Sequence, residues 1–190
     1  MNILKPQKVK FDESEIIDLK NIDRDEDIEH CKFSNIKMQN GEIENATFRD
    51  VIFENCDFSN TKFIDNTFIR CEFNNCKLSG CDMTENRLYN VTVIETNASY
   101  INLSLASIEN VIFRDSNFRN SYFQETTVKN IYFENTDLTQ AQFFKTSLRN
   151  VDLSNSTIEG IAITIDDIKG AVIDQAQSMD LLYLLGVKVK

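Results

Sequence analysis

A large apolar residue returns at every fifth position from 33 to 173 without one insertion, and no other feature constrains the fold so tightly. The pattern is clearest over residues 46–80, where Phe48, Phe53, Phe58, Phe63, Phe68, Phe73 and Leu78 occupy the register. Only Ala98 departs from the set Phe, Leu, Ile, Met and Val. Twelve of the fourteen phenylalanines fall on these positions, against roughly a fifth by chance, so the period is not a by-product of apolar composition. Two places before each centre stands a smaller residue: Ala46, Val51, Cys56, Thr61, Asn66, Cys71 and Cys76 in the same stretch.

A period of five fits neither an amphipathic helix, which wants about 3.6, nor an alternating strand, which wants 2. It fits a solenoid in which each unit is one short extended side followed by a corner. The small and the large residue, two apart, point the same way along an extended segment, so both turn inward. The fifth position must turn the chain. Asn35, Asn40, Asn45, Asn55, Asn60, Asn75, Asn90, Asn110, Asn120, Asn130, Asn135, Asn150 and Asn155 stand there, with Asp50, Asp65 and Asp115. These residue types tolerate left-handed backbone angles and bond their own backbone. The two remaining positions face solvent.

On this pattern, small–any–large–polar–polar over about twenty-nine consecutive units, the chain resembles the pentapeptide repeat proteins. The resemblance implies an all-β fold: a right-handed quadrilateral parallel β-helix, four units and twenty residues per coil, with a short C-terminal helix. Seven coils at the strand spacing of roughly 4.8 Å make a rod about 35 Å long.

The segments divide as residues 1–30, an N-terminal cap; 31–173, the repeats; and 174–190, a C-terminal helix and tail. The cap is rich in acids (Asp12, Glu13, Glu15, Asp18, Asp23, Asp25, Glu26, Asp27 and Glu29) and covers the edge that a first coil would expose. His30, the single histidine, reads as a surface residue. A net charge of -10 favours cationic partners and disfavours direct nucleic-acid binding. No apolar run suits a signal peptide or a membrane span, so a cytoplasmic protein is expected.

Cys31, Cys56, Cys71, Cys76 and Cys81 all occupy the small inward position and read as core, together with Phe48, Phe53, Phe58, Phe63, Phe68, Phe73, Phe113, Phe118, Phe123, Phe133 and Phe143. Spacing by five sends neighbouring cysteines to different sides and no histidine accompanies them, so no metal site is expected. Cys56 and Cys76 would stack in adjacent coils, yet the odd count and the absent signal sequence point to reduced thiols. The cysteines lack a base and no glycine-rich phosphate loop occurs. No catalytic residues and no cofactor are expected, and the chain does not read as an enzyme.

A twenty-residue coil sorts the outward residues by side. The side centred on Phe33, Phe53, Phe73, Val93, Phe113, Phe133 and Leu153 carries Glu54, Glu72, Glu95, Asp115, Glu134 and Asp152 against Lys32 and Arg114. The side centred on Phe48 and Phe68 carries Arg49, Arg70, Arg87, Lys129, Arg149 and Lys169 against Asp50, Glu109 and Asp167. A polarised shaft is the expectation, with the acidic side as candidate partner-binding face.

Beyond the repeats, Asp174 and Gln177 form a capping pair and Gly186 suits the position past a helix end. Between them Met179, Leu181, Leu182, Tyr183, Leu184 and Leu185 are too apolar for one stripe, and Val187 and Val189 alternate with lysines. A second surface is needed to cover them, which makes these eight the expected homodimer interface. The run from Gly170 through Ile173, Asp174, Gln177, Leu181, Leu182, Leu185, Gly186 and Val187 is similar to the tail of the Qnr fluoroquinolone-resistance group. That resemblance implies a twofold dimer joined through the C-terminus, an acidic mimic of duplex DNA directed at DNA gyrase and topoisomerase IV. The Qnr group carries loops that interrupt its coils, and this register is unbroken. A rigid rod that docks a different protein is the alternative.

Overall fold

The computed structural model describes residues 3–7 and 26–186. Short strands lie parallel on the strand twenty residues later. Ile28, Phe48, Phe68, Leu88, Ile108 and Val128 form one column, and Phe33, Phe53, Phe73, Val93, Phe113 and Phe133 a second. Ile43 on Phe63 begins a third. The fourth climbs by isolated parallel bridges from Lys37 through Asp57, Lys77, Asn97, Asn117 and Asp137 to Thr157. Four columns spaced by five residues close a coil in twenty, so the number of sides is a property of the pairing register. The fold is a parallel β-solenoid. Strand pairing climbs five coils in the first column, and further bridges carry the stack to Val172.

The corners show why the fifth position is selective. Every such residue from His30 to Asn150 has a positive φ, between 48° and 67°. Asparagine, aspartate and glycine reach this region cheaply, whereas Arg70, Glu85, Glu95, Tyr100, Leu105 and Lys145 are held there by the coils around them. Asparagines at the corners also bond one another along the rod: Asn75 Nδ2 donates to Asn55 Oδ1 at 2.7 Å, and Asn130 to Asn110 at 3.0 Å.

Inside, rings stack along columns and meet edge to face between sides. Phe48 and Phe68 lie 4.9 Å apart at 5°, and Phe123 and Phe143 4.7 Å apart at 6°; Phe53 meets Phe58 at 84°. Such pairs add about 0.5–1.5 kcal/mol each beyond burial. Between Phe73 and Phe113 the register holds Leu78, Met83, Leu88, Val93, Ala98, Leu103 and Ile108, and an apolar void of about 10 Å³ remains there.

The small position does more than save space. At most of its polar occupants the hydroxyl, thiol or amide donates to the carbonyl twenty-three residues back, that of the large residue one coil below; Asn86 Nδ2 and Ser121 Oγ are buried without such a bond. Thr126 bonds Leu103 O at 2.8 Å, Thr136 bonds Phe113 O at 3.0 Å, Cys71 Sγ bonds Phe48 O at 3.3 Å and Asn66 Nδ2 bonds Ile43 O at 2.8 Å. The side chain also accepts the N–H of the small residue beneath it, as in Ala46 N to Asn66 Oδ1 (2.8 Å) and Cys76 N to Thr96 Oγ1 (3.1 Å). Backbone groups that face the interior and lack a strand partner are satisfied in this way.

Two corrections concern the ends. The first paired strand is Asp27–Glu29, with Ile28 buried, so the solenoid begins inside the segment read as cap; Ile28 already lies on the five-residue register. Most of the remaining cap lies outside the described residues. At the other end a helical turn, α1 (Ile165–Ile168), replaces a flat side, because Thr164 caps it by accepting from Asp167 N. Asp174 and Gln177 exchange backbone and side-chain bonds at 2.8 Å each ahead of α2 (Ser178–Leu181). A 3₁₀ turn over Leu182–Leu185 follows and ends at Gly186, φ 67°. Gln177 Nε2 meanwhile donates to Leu153 O and Ser156 O, closing the last coil's carbonyls.

Candidate partner-binding face

The six acids of the candidate face do stand on one side of the rod, spread from the coil of Phe53 to that of Leu153, but they are not equivalent. Glu54 pairs with Lys32 at 2.7 Å and Glu134 with Arg114 Nε at 2.6 Å, so two are neutralised within the chain. Glu72 accepts from Asn74 Nδ2 at 3.3 Å. Asp115 Oδ1 accepts from Asn135 Nδ2 at 2.7 Å. Asp152 accepts from the Ser154 hydroxyl (2.6 Å) and amide (2.9 Å), which hold its carboxyl below the usual carboxylate value. Glu95, Asp115 and Asp152 are exposed, while Glu54, Glu72 and Glu134 are half-buried. Glu95 and Asp115 occupy successive corners of one edge, about 4.8 Å apart in backbone spacing, and neither has a cationic partner among the described residues.

The opposite charges follow the same lengthwise rule. Arg49 pairs with Glu29 (2.8 Å), Arg70 with Asp50 (2.6 Å) and Lys129 with Glu109 (2.7 Å), each across one coil, and Arg87, Arg149 and Lys169 form no ion pair among the described residues. Counting charges by side therefore overstates the polarity of the shaft. A sum at spacing twenty would have found most of these pairs in the sequence.

Asp50 is the exception in depth: it is 1% exposed, and both its oxygens accept from Arg70 at 2.6 Å. The Arg70 bonds hold its carboxyl below the ordinary value. Gln7 N adds a third bond at 3.0 Å, and Gln7 O meets His30 Nδ1 at 2.9 Å. Asp50 and His30 thus fasten Gln7 onto the lowest coils, a role invisible in local sequence.

The expected core residues are buried, with one correction: Cys31 is half-buried, because it belongs to the lowest coil. The expected dimer residues divide. Leu181 and Leu184 pack on the core of their own rod and Leu182 is half-buried, whereas Met179, Tyr183 and Leu185 are exposed, as are Val172 and Ile165. Val187 and Val189 lie outside the described residues. Among those described, no three His, Cys, Asp or Glu gather as a metal-ligand set, and no helix is long and apolar enough to cross a membrane.

The pentapeptide repeats (8 copies) family matches residues 27–65 and 46–85, and the pentapeptide repeat region family matches 66–143. The chain belongs to the pentapeptide repeat family. No curated protein matches it closely enough to count as a relative. Among solved structures it is similar to QnrB1, a plasmid-mediated fluoroquinolone resistance protein, at 22% identity and TM-score 0.44, over 89% of this chain and 94% of that one. It is similar to HetL, a pentapeptide repeat protein involved in heterocyst differentiation regulation in the cyanobacterium Nostoc, at 12% identity and TM-score 0.26, over 82% and 92%. A thylakoid-lumen pentapeptide repeat protein of Arabidopsis thaliana matches at 19% identity and TM-score 0.27, over 66% and 70%. These are likenesses of fold alone.

Proposed function

We propose that this pentapeptide repeat protein is a binding protein, not an enzyme, that imitates duplex DNA toward type II topoisomerases, DNA gyrase or topoisomerase IV, and so confers resistance to quinolones or gyrase toxins. The observation that carries the reading is the edge at Glu95 and Asp115, where exposed carboxylates on a rigid rod form no ion pair among the described residues. The Qnr-like tail supports it as well.

Magnitudes decide what kind of imitation this is. From Glu54 to Asp152 the acidic side climbs five coils, about 24 Å at 4.8 Å each. Duplex DNA of that length carries about fourteen phosphates, one per 1.7 Å. Six carboxylates, two of them neutralised, cannot match that density. The imitation rests on a rod of suitable shape with a focused acidic edge. Two rods joined end to end through Met179, Tyr183 and Leu185 span about 70 Å, near 20 base pairs at 3.4 Å each.

A gyrase supercoiling assay with the purified protein tests this. Wild type is expected to alter supercoiling, and Glu95→Lys with Asp115→Lys to abolish the effect without changing the melting temperature. The lengthwise neutralisation of Glu54 and Glu134 favours the second reading, a rod docking a different protein partner; an inert wild type would select it.

A further inference from the structure

The stacking of the coils is interrupted at one level. Below it, corner amides donate upward to the next coil, as Asn90 N does to Glu109 O at 3.1 Å and Asp115 N to Glu134 O at 3.0 Å. The strand Thr127–Glu134 pairs only downward, with Ser107–Arg114. Its upward amides, Val128 N, Asn130 N, Phe133 N and Asn135 N, find no carbonyl in residues 147–155. The asparagine ladder stops there too: Asn130 Nδ2 donates to Asn110 Oδ1, and no bond joins Asn150 to Asn130. A cleft of about 310 Å³ separates the two coils, with Lys129 and Asn130 on its lower lip and Arg149 and Asn150 on its upper one. Val128 is half-buried beside it, whereas Phe48, Phe68, Leu88, Ile108 and Leu148 on the same side of the rod are buried.

The cause is a mismatch between stacked coils. Residues 127–134 run extended through their corner. The next coil instead tightens the same two sides with turn bonds of its own, Val151 N to Leu148 O at 3.0 Å and Ser156 N to Leu153 O at 2.9 Å. On the following side both coils carry the same turn, Ala141 N to Leu138 O and Ile161 N to Ile158 O, and pairing is intact there: Leu138 N donates to Thr157 O at 2.8 Å. The side after that is paired as well, through Phe143 N to Ala162 O at 2.8 Å. Above the cleft the chain is cohesive again, since Leu148 N donates to Asp167 O, Leu153 N to Val172 O and Gln177 Nε2 to Leu153 O, each at 2.8 Å. Two blocks of coils therefore meet along two sides and part along the other two.

We propose that this level is a joint, on which the end block of residues 147–186 tilts about the paired sides and so narrows or widens the cleft. A solenoid is stiff because each coil is bonded to its neighbours, and at this level half of that bonding is missing. A polar cleft of this size admits water, which satisfies the unpaired amides without closure. Leu148 and Leu153 stay buried in the continuous core, which limits the motion to a tilt and excludes separation of the blocks. Met179, Tyr183 and Leu185 ride on the end block, while Glu95 and Asp115 stand on the shaft below, where pairing is continuous. The joint thus sets the angle at which anything held by the C-terminal end is presented relative to the acidic edge.

Two measurements on the folded full-length chain test this. In amide hydrogen exchange followed by NMR, Val128, Asn130, Phe133 and Asn135 are expected to exchange about a hundredfold or more faster than Ile108, Asn110, Phe113 and Asp115, the same positions one coil below. Distances between spin labels, read by double electron–electron resonance in a Cys31→Ser background, then separate motion from a static gap. Labels at Tyr89→Cys with Lys169→Cys lie on either side of the cleft, and labels at Arg49→Cys with Lys129→Cys span as many coils wholly within the shaft. The first pair is expected to give the broader distance distribution. The proposal is overturned if the four amides are as protected as their counterparts below, or if the two distributions are equally narrow.

Discussion

Thr146 offers the sharpest test of why the small position is so often a hydroxyl or thiol. It is fully buried; its Oγ1 accepts from Thr126 N at 3.0 Å and donates to Phe123 O. Thr146→Val preserves the shape and removes both bonds, stranding one amide and one carbonyl where water does not reach. Each stranded group costs about 1–3 kcal/mol, so about 2–6 kcal/mol is lost. The added methyl contact returns about 0.8 kcal/mol. Thr146→Ser keeps the hydroxyl and loses a methyl, which costs about 1 kcal/mol. Urea unfolding monitored by circular dichroism should rank wild type above Ser and Ser above Val, with an unchanged slope against denaturant. If valine were as stable as serine or better, the position would be selected for size alone, and the interlocking of coils through side-chain bonds would be wrong.

Phe113→Asp places an unpaired carboxylate against Phe133, 5.1 Å away in the stack, and should unfold the adjoining coils, whereas Arg114→Ala removes an exposed ion pair worth about 0–1 kcal/mol; thermal melts separate the two. The folded-state carboxyl of Asp50 is held below its ordinary 3.8, so its contribution is fully present above that value and is lost as the pH falls through the lower, folded-state value. Asp50→Asn should therefore cost about 2 kcal/mol at neutral pH and flatten the acid limb of a stability profile. Leu105→Asn should raise stability by about 1 kcal/mol, since Leu105 is exposed and held at φ 61°, and a lower melting temperature would count against the corner rule.

How much of this was legible follows from the range of each interaction. The inward positions and the corners are local: two residues apart on an extended side, or one residue at a turn, so Phe48, Phe113 and Asn75 disclose their roles in a five-residue window. The bonds from Thr136 to Phe113 O and from Arg70 to Asp50 join residues twenty or more apart, and they become readable only once the coil length is fixed. For that reason the small position read as merely compact, and the acidic side read as more polar than it is. The clip from Gln7 to Asp50 has no periodic signature at all, and the split of the tail, with Leu181 and Leu184 inward and Leu185 outward, depends on how a helix docks on the rod end.

The central claim is that the acidic edge occupies the place of duplex DNA on a type II topoisomerase. Binding of the labelled protein to DNA gyrase in solution, with increasing linear duplex of about 20 base pairs as competitor at fixed ionic strength, tests it most directly. The account predicts binding that duplex DNA displaces and that Glu95→Lys with Asp115→Lys abolishes. Binding that persists undiminished at saturating duplex, or no binding to gyrase at all, would contradict it.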